Sequence, residues 1–242
     1  MYSIKKQEQL IHLITFDLDN TLWDVETVIV RAEREMQDWI KIQVPQYTQV
    51  ASNKLISKKI REKISKGNAA TQHDISLFRI SYLTEMFLEC GIKSSETTRL
   101  AENAFAVFMK WRNKVHFFEG ALDTLKTLSA NYELAALTNG NADISRMGLD
   151  TYFSFAINAA DVGASKPAPD MFMQALALSG ASTNQAIHIG DNRIDDIEGA
   201  NKVGFYTIWV NLKNSEKDSV ATSTVHDLYS IESAVIEINN QS

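Results

Sequence analysis

The 242 residues include a single cysteine, Cys90, which excludes an internal disulfide. No stretch has the roughly eighteen consecutive apolar residues of a membrane-spanning helix. The apolar run over residues 10–16 passes directly into Asp17 and Asp19, without the small-residue cleavage site of a secretory leader. Basic residues are in deficit: 24 Lys and Arg against 30 Asp and Glu give a formal charge of -6. There is therefore no broad positive field to attract nucleic acid or an anionic membrane surface. Internal repeats and low-complexity tracts are also missing. A soluble, cytoplasmic protein without nucleic-acid or membrane partners is expected, in which any anionic ligand is held by a local site.

What is present is ordinary globular composition, 45% hydrophobic and 22% charged, in a chain long enough for one large core or a core plus a smaller domain. Short apolar runs bounded by polar or turn residues recur at 13–16, 134–137, 155–157, 186–189 and 206–210. Most are near-continuous, the pattern of strands covered on both faces in a parallel sheet. Helical patterns lie between them. Leu122, Leu125 and Leu128 share a face, while Pro169 and Asp170 open a helix that stops at Gly180. This alternation predicts an α/β fold with a doubly wound, mainly parallel sheet.

Residues 24–114 break the rhythm. Asp24 is placed to cap a helix in which Val25, Val28, Ile29, Ala32, Met36 and Trp39 recur at helical spacing before Pro45. A second helix carries Leu55, Ile56, Ile60 and Ile64. A third runs from Ile75 to Cys90 and stops at Gly91, and Ser94 or Ser95 caps a fourth that reaches about Asn113. The economical division is an α/β core of residues 1–23 and 115–242 with an inserted all-helical cap of residues 24–114.

In open parallel sheets the ligand crevice lies beyond the carboxyl ends of the strands, so the polar residues just after each apolar run are the first candidates. The first run is followed by Asp17-Leu18-Asp19-Asn20-Thr21, and the second by Thr138-Asn139-Gly140-Asn141. Lys166-Pro167 follows the third after a short loop, and the fourth leads into Gly190-Asp191-Asn192-Arg193-Ile194-Asp195-Asp196. These four motifs, in this order and at these strand ends, resemble the haloacid dehalogenase superfamily, whose commonest members are phosphatases. The helical insertion sits where that superfamily places its cap.

The resemblance implies a phosphomonoesterase in which Asp17 is the nucleophile, forming an aspartyl-phosphate that splits one hard displacement into two easier ones. Asp19 would handle the proton, which asks for a carboxyl shifted toward neutrality by a crowded, partly desolvated position. Mg²⁺ is the implied cofactor, held by the Asp17 and Asp191 carboxylates and the Asp19 main-chain carbonyl. Asp196 would orient metal-bound water from one layer out. Thr138 and Asn139 would bind phosphoryl oxygens, in an anion nest with Gly140 near a helix start, and Lys166 would add a point charge. Pro167 keeps Lys166 extended, and Gly199 and Ala200 let the last helix pack closely on the sheet.

The likeness continues through Arg31-Ala32-Glu33-Arg34-Glu35, residues 73–79, Lys110-Trp111-Arg112 and the stretch after Thr138. There it resembles bacterial phosphatases of riboflavin biosynthesis that act on 5-amino-6-(5-phosphoribitylamino)uracil and on FMN. For such a small phosphorylated metabolite, Trp23 or Trp111 are candidates to stack on a ring and Arg79 or Arg112 to pair with polar groups. The alternative for both tryptophans is cap core. Other small phosphometabolites, such as a sugar phosphate, phosphoglycolate or a nucleotide, remain open as substrates.

Several residues read more simply as structure. His188, between Ile187 and Ile189, is a hydrogen-bonded strand histidine, and Asp195 a helix-start or solvent residue. Lys54, Lys58, Lys59, Arg61, Lys63 and Lys66 form the wet face of a helix, and Cys90 packs. A dehalogenase would need neither magnesium nor Asp19. A signalling receiver has no large helical insertion after its first strand and carries its acceptor on a later strand than its acidic pair. A non-catalytic binding protein would have lost the nucleophile or the acid.

Overall fold

The computed structural model describes residues 11–67, 69–214 and 220–241. Leu10 of the N-terminal apolar run, and the rest of the first ten residues assigned to the core, lie outside the described residues. Six strands, β1 (Leu13–Phe16), β2 (Glu133–Thr138), β3 (Phe155–Asn158), β4 (Ala186–Gly190), β5 (Tyr206–Val210) and β6 (Ser223–Val225), form one sheet in the order β3-β2-β1-β4-β5-β6. Every neighbouring pair is parallel. The chain builds outward from β1 to β3, then returns to β1's other side to lay down β4, β5 and β6. The strand order therefore reverses beside β1, and a crevice opens past the carboxyl ends of β1, β2 and β4.

The strands read as unbroken apolar runs because both faces are covered. Ile14, Phe16, Leu134, Ala136, Ile187 and Ile189 point into one buried layer, and Leu13, Ala135, Leu137 and Ala186 into the other. The first layer is closed by α6 (Ala121–Ser129) and α10 (Ser230–Gln241), the second by the short α7 (Ala159–Val162), α8 (Asp170–Ser179) and α9 (Gly199–Val203). Gly180 ends α8 in the left-handed conformation, which a residue without Cβ adopts at little cost. Gly199 and Ala200 pack against this second layer: an added Cβ on Gly199 would lie 3.1 Å from the Pro167 backbone.

Between β1 and α6 the chain is helical: α1 (Val25–Gln43), α2 (Tyr47–Ala51), α3 (Lys54–Gly67), a short 3₁₀ turn at Ala69–Gln72, α4 (Ile75–Glu89) and α5 (Ser94–Arg112). These helices enclose their own core, centred on Ala32, Met36, Ile60, Phe87, Ala104 and Phe108. Asp24 caps α1 by accepting from the Glu26 N–H, and Val28, Ala32, Met36 and Ile40 form its buried stripe. The basic residues of α3 are exposed and Cys90 is buried. No described helix is long and apolar enough to cross a membrane.

Three expectations need correction. Helix α5 begins at Ser94 itself, with Lys93 in the capping position and no side-chain cap. After Thr138 the chain forms turns instead of the expected helix, tightened by Asp143, which accepts from the Ser145 and Arg146 N–H groups. Strand β6 and helix α10 were not foreseen, although Ile231, Val235 and Ile238 carry helical spacing and bury one face.

Phe172 on α8 packs edge-on against both His188 of β4 and Phe205 at ring-centroid distances of 5.0 and 5.7 Å. Phe172→Ala is expected to cost about 3–5 kcal/mol, read as a lowered urea midpoint with an unchanged denaturant slope.

Candidate active site

Asp17 is the first residue past β1. Its N–H donates to the Ile189 carbonyl at 2.8 Å, which continues the ladder to β4 for one more step and fixes where the side chain emerges. Asp17 is 8% exposed. Its Oδ1 accepts from Lys166 Nζ at 2.9 Å and its Oδ2 from the Thr21 hydroxyl at 3.2 Å, so the carboxylate plane is held from both ends. Thr21 also reaches Asp191 Oδ1 at 3.4 Å.

Lys166 arrives from the loop before α8 and is almost completely buried. Its three ammonium protons are all used, by Asp17 Oδ1, by the Leu137 carbonyl at 2.7 Å and by Asp196 Oδ1 at 2.6 Å. It therefore stitches together the ends of β1 and β2 and the turn after β4. The Asn139 side chain holds the lysine's own backbone: Nδ2 donates to the Lys166 carbonyl at 3.0 Å, and Oδ1 accepts the Lys166 N–H at 2.8 Å. Nδ2 also reaches Asp195 Oδ2 at 3.3 Å, so Asp195 touches the site through Asn139.

Past β4 the chain makes a π-helical turn over Arg193–Glu198, opened by the Asn192 side chain, which accepts from the Ile194 and Asp195 N–H groups. This turn folds Asp196 back under Gly190. An added Cβ on Gly190 would sit 2.3 Å from Asp196 Oδ2, so only glycine fits. Both Asp196 oxygens have protein partners: Lys166 and, at 3.2 Å, His188 Nε2 on Oδ1, and the Asn192 N–H at 2.9 Å on Oδ2. Asp191 is freer. Its main-chain carbonyl accepts from Trp209 Nε1 at 2.8 Å.

One oxygen each from Asp17, Asp191 and Asp196 lie within 4.8 Å of one another. Burial pushes the Asp17 carboxyl up to about 8, against the pull of Lys166, and the Asp191 carboxyl up to about 6, with help from Asp196. Burial alone would raise Asp196 too, but the Lys166 charge and the His188 hydrogen bond hold it below the usual carboxylate range. Three carboxylates thus face one lysine, and the group is short of positive charge. An all-oxygen donor set in that condition suits a hard divalent cation. Both Asp17 oxygens and both Asp196 oxygens have protein partners, and Asp191, with only the 3.4 Å Thr21 contact on Oδ1, is the most open carboxylate of the three.

Asp19 lies two residues on, turned toward the helices. Oδ1 accepts from Trp23 Nε1 at 2.9 Å and from Arg112 Nη2 at 2.9 Å, and Oδ2 from Arg112 Nη2 at 2.6 Å. Thr138 is buried and its hydroxyl accepts the Gly140 N–H at 2.9 Å. The expected nest is corrected accordingly, since that Gly140 proton is not free for an anion.

The four candidates for reading the substrate from the helices fare differently. Trp23 is fully buried in the sheet core, edge-on to Phe117, and has no open face on which a ring could stack. Trp111 packs against the helical core with Arg31 and Lys114 over its ring. Arg79 pairs with Glu33 and lies over Phe108 at 3.9 Å. Arg112 reaches the site, but its partners are Asp19 and Asn141, the latter through Nε at 3.3 Å. The sequence reading missed the Asn139 clamp and the Arg112–Asp19 pair. Neither leaves a local signal, because the partners are 27 and 93 residues apart.

A six-stranded parallel sheet with these strand-end groups defines a family, and residues 11–204 match the haloacid dehalogenase-like hydrolase model. The chain belongs to that family. It is 31% identical to the 5-amino-6-(5-phospho-D-ribitylamino)uracil phosphatase YigB of Escherichia coli over 206 residues, which is 85% of this chain and 86% of that one. It is 31% identical to the phosphoserine phosphatase of Thermus thermophilus over 55% of each chain. The crystal structure of 2-haloacid dehalogenase from Pseudomonas syringae pv. Tomato DC3000 superposes with a TM-score of 0.89 at 35% identity, covering 94% of this chain and 99% of that one. With named phosphatases among its relatives, the chain is a phosphatase.

His188 tests the buried network. Its Nδ1 lies 2.7 Å from the Thr15 hydroxyl and Nε2 faces Asp196, and burial holds its proton affinity below the ordinary value of 6.5. The unfolded chain binds a proton near that value which the folded protein refuses. Stability from this group is therefore full above about pH 6.5 and declines as the pH falls toward the lowered folded value, by at most about 1.4 kcal/mol per pH unit. Urea midpoints at pH 7.5 and 5.5 are expected to differ less for His188→Gln than for the wild type.

Proposed function

We propose that the chain is a magnesium-dependent phosphomonoesterase that works through an aspartyl-phosphate on Asp17. The observation that carries the reading is the setting of Asp17: a buried strand-end carboxylate with its plane fixed by Lys166 and Thr21, beside Asp191. Phosphoryl transfer asks for an aligned nucleophile and charge neutralisation, and little else. In the first step an Asp17 oxygen bonds to phosphorus while the ester O–P bond breaks. The departing oxygen takes the proton of the Asp19 carboxyl. Water then attacks phosphorus, gives its proton to Asp19, and the Asp17 O–P bond breaks to free inorganic phosphate.

The Asp17 and Asp191 carboxylates and the Asp19 main-chain carbonyl would hold Mg²⁺, which when bound neutralises the phosphoryl oxygens. Lys166 aims Asp17 and pulls its proton affinity down against the rise that burial causes, and the bound cation would supply the rest of the charge that favours its ionised form. Asp196 acts through Lys166 and the turn that presents Asp191. Thr138 and Asn139 face the phosphoryl group, with Asn139 also seating Lys166.

A flavin-pathway substrate, FMN or 5-amino-6-(5-phosphoribitylamino)uracil, is the finer reading, supported by 31% identity to the Escherichia coli enzyme across most of both chains. A cleft of about 430 Å³ beside Gly140 and Asn141, next to the loop that follows Thr138, has a mixed polar and apolar lining that includes Ser76, Met109, Ile144 and Asn158 and offers room for a leaving group. The helices at residues 25–112 would then serve as a lid over the crevice. Dehalogenation is disfavoured by the same geometry, since halide departs as an anion that needs neither Asp19 nor a divalent cation.

Phosphate release from FMN, the ribitylaminouracil phosphate, sugar phosphates and nucleotides should depend on added Mg²⁺. It should fall by about a thousandfold or more in Asp17→Asn, the scale on which a covalent nucleophile is lost. Undiminished phosphate release after thorough chelation, or halide release from 2-chloropropionate without phosphatase activity, would overturn the reading.

A further inference from the structure

The helical insertion contains a cavity of its own. Its volume is about 310 Å³, and it lies among α1, α2, α3 and α4, with Phe78 and Tyr82 as flat walls and Glu33, Tyr47, Arg61 and Arg79 as its polar lining. Those polar groups are incompletely partnered. Arg79 pairs with Glu33 through Nη1 and lies 3.9 Å over the Phe108 ring, but its Nε is buried without a hydrogen-bond partner. Tyr47 is 7% exposed and packs edge-on against Phe87 at 5.9 Å between ring centroids, and its hydroxyl meets no hydrogen-bond partner among the described residues. Burial, with Tyr82 and Glu33 nearby, holds that phenol far above the ordinary tyrosine value, so it stays an uncharged donor. Arg61 has its guanidinium 4.8 Å over the Tyr82 ring and forms no ion pair with a described residue. Unmet buried donors are costly, and interiors that only pack seldom keep them beside open space.

The cavity is close to the strand-end carboxylates. Ile75, the first residue of α4, lines both it and the cleft beside Gly140 and Asn141. Ser76 Oγ accepts from Asn141 Nδ2 at 3.1 Å, and Phe78 and Arg79 follow within one turn of the same helix. On α5, Phe108 beneath Arg79 is one turn, about 6 Å, from Arg112, whose guanidinium meets Asp19. We infer that this cavity receives the far end of the substrate's leaving group and selects a flat heterocycle with an imide edge, an N–H flanked by carbonyl groups. The complement is in the lining: Glu33 can accept the N–H, Arg61, Arg79 and Tyr47 can donate to the carbonyl oxygens, and Phe78 and Tyr82 flank the ring. A pair of guanidinium groups against a single carboxylate leaves the lining short of acceptors, which suits carbonyl oxygens. A sugar has no flat face to offer, and an adenine edge has no N–H between carbonyls. The chain joining ring to phosphate would run along the cleft past Ser76 and Ile75. The inference deepens the phosphatase reading proposed above and rests on it for the phosphate end alone.

The ring end can be tested without phosphate chemistry. Riboflavin, which carries the ring and the polyol but no phosphate, should bind the wild-type protein saturably in equilibrium dialysis, and ribitol should not compete with it. Methylating the imide nitrogen of riboflavin is expected to weaken binding by about tenfold, the scale of one lost hydrogen bond to a charged group, and this arm needs no substitution in the protein. Arg79→Met and the exposed Arg61→Gln should each weaken riboflavin binding by about tenfold, and Tyr47→Phe, which removes a neutral donor, by less. The ratio of phosphate release from FMN to that from ribitol 5-phosphate, which within one variant is independent of how much of it is folded, should fall in the same variants. Absence of saturable riboflavin binding, equal affinity for the methylated compound, or undiminished binding in both arginine variants overturns the inference, and Mg²⁺-dependent phosphate release from 4-nitrophenyl phosphate would then leave the phosphatase reading standing. Riboflavin binding with these dependences, but no phosphate release from any ester, would keep the ring site and remove the phosphatase reading.

Discussion

Lys166 is the point on which the site depends. An ammonium group buried to this degree survives only if its charge is answered and each proton has an acceptor. Here the answers come from Asp17 and Asp196, and the third acceptor is a main-chain carbonyl of β2. The carboxylates depend on the lysine in turn. Removing either partner of such a pair leaves a buried charge uncompensated, a loss on the order of 3–5 kcal/mol. The arrangement is therefore cooperative: the ends of three strands are registered against one another by one nitrogen, and the nucleophile's direction is a by-product of satisfying that nitrogen. Even so, the charges do not balance, and the remaining negative charge is what a bound divalent ion would answer.

The fold makes this placement possible. A parallel sheet buried on both faces spends its strand interiors on packing, so polar side chains appear at the ends, where several strands terminate at the same level. β1 lies between β2 and β4, so residues following three different strands converge without any long loop. Close approach then matters more than reach. Gly190 lets Asp196 fold back beneath it, and the π-helical turn supplies the extra residue needed to bring that carboxylate to Lys166. The helices between β1 and α6 carry a separate core and meet the sheet body through polar contacts at His73, Ser76 and Asn113 and through Val28 of α1, which is buried in the sheet core.

How much of this was legible follows from the range of each signal. Strands β1 to β5 announce themselves as unbroken apolar runs, and the groups that follow them, Asp17, Thr138, Lys166 and Asp191, can be picked out because strand ends are where chemistry collects. The Asp24 cap and the Gly180 stop are equally local. Side-chain partnerships across the fold leave no such trace. That Asn139 uses its amide to hold the Lys166 backbone, or that Arg112 meets Asp19, depends on how distant segments are brought together. The misread helix after Thr138 is instructive: Asn139-Gly140-Asn141 suits a helix start, but Gly140 gives its N–H to Thr138 and Asp143 gathers the following N–H groups into turns. Local side-chain bonds won over helix propagation.

Asp17 and Asp19 show how one short motif yields two environments. They are two residues apart, yet Asp17 still belongs to the sheet through its N–H bond to β4, and its carboxylate meets an ammonium group fixed by the core. Asp19 has left the sheet, and its carboxylate meets an indole and a guanidinium carried by the two linkers to the helices. The first setting is built from the sheet body alone, whereas the second takes one of its two partners, Arg112, from the end of α5. The difference between them is set by which body supplies each carboxylate's partner, and not by any difference in the carboxylates themselves.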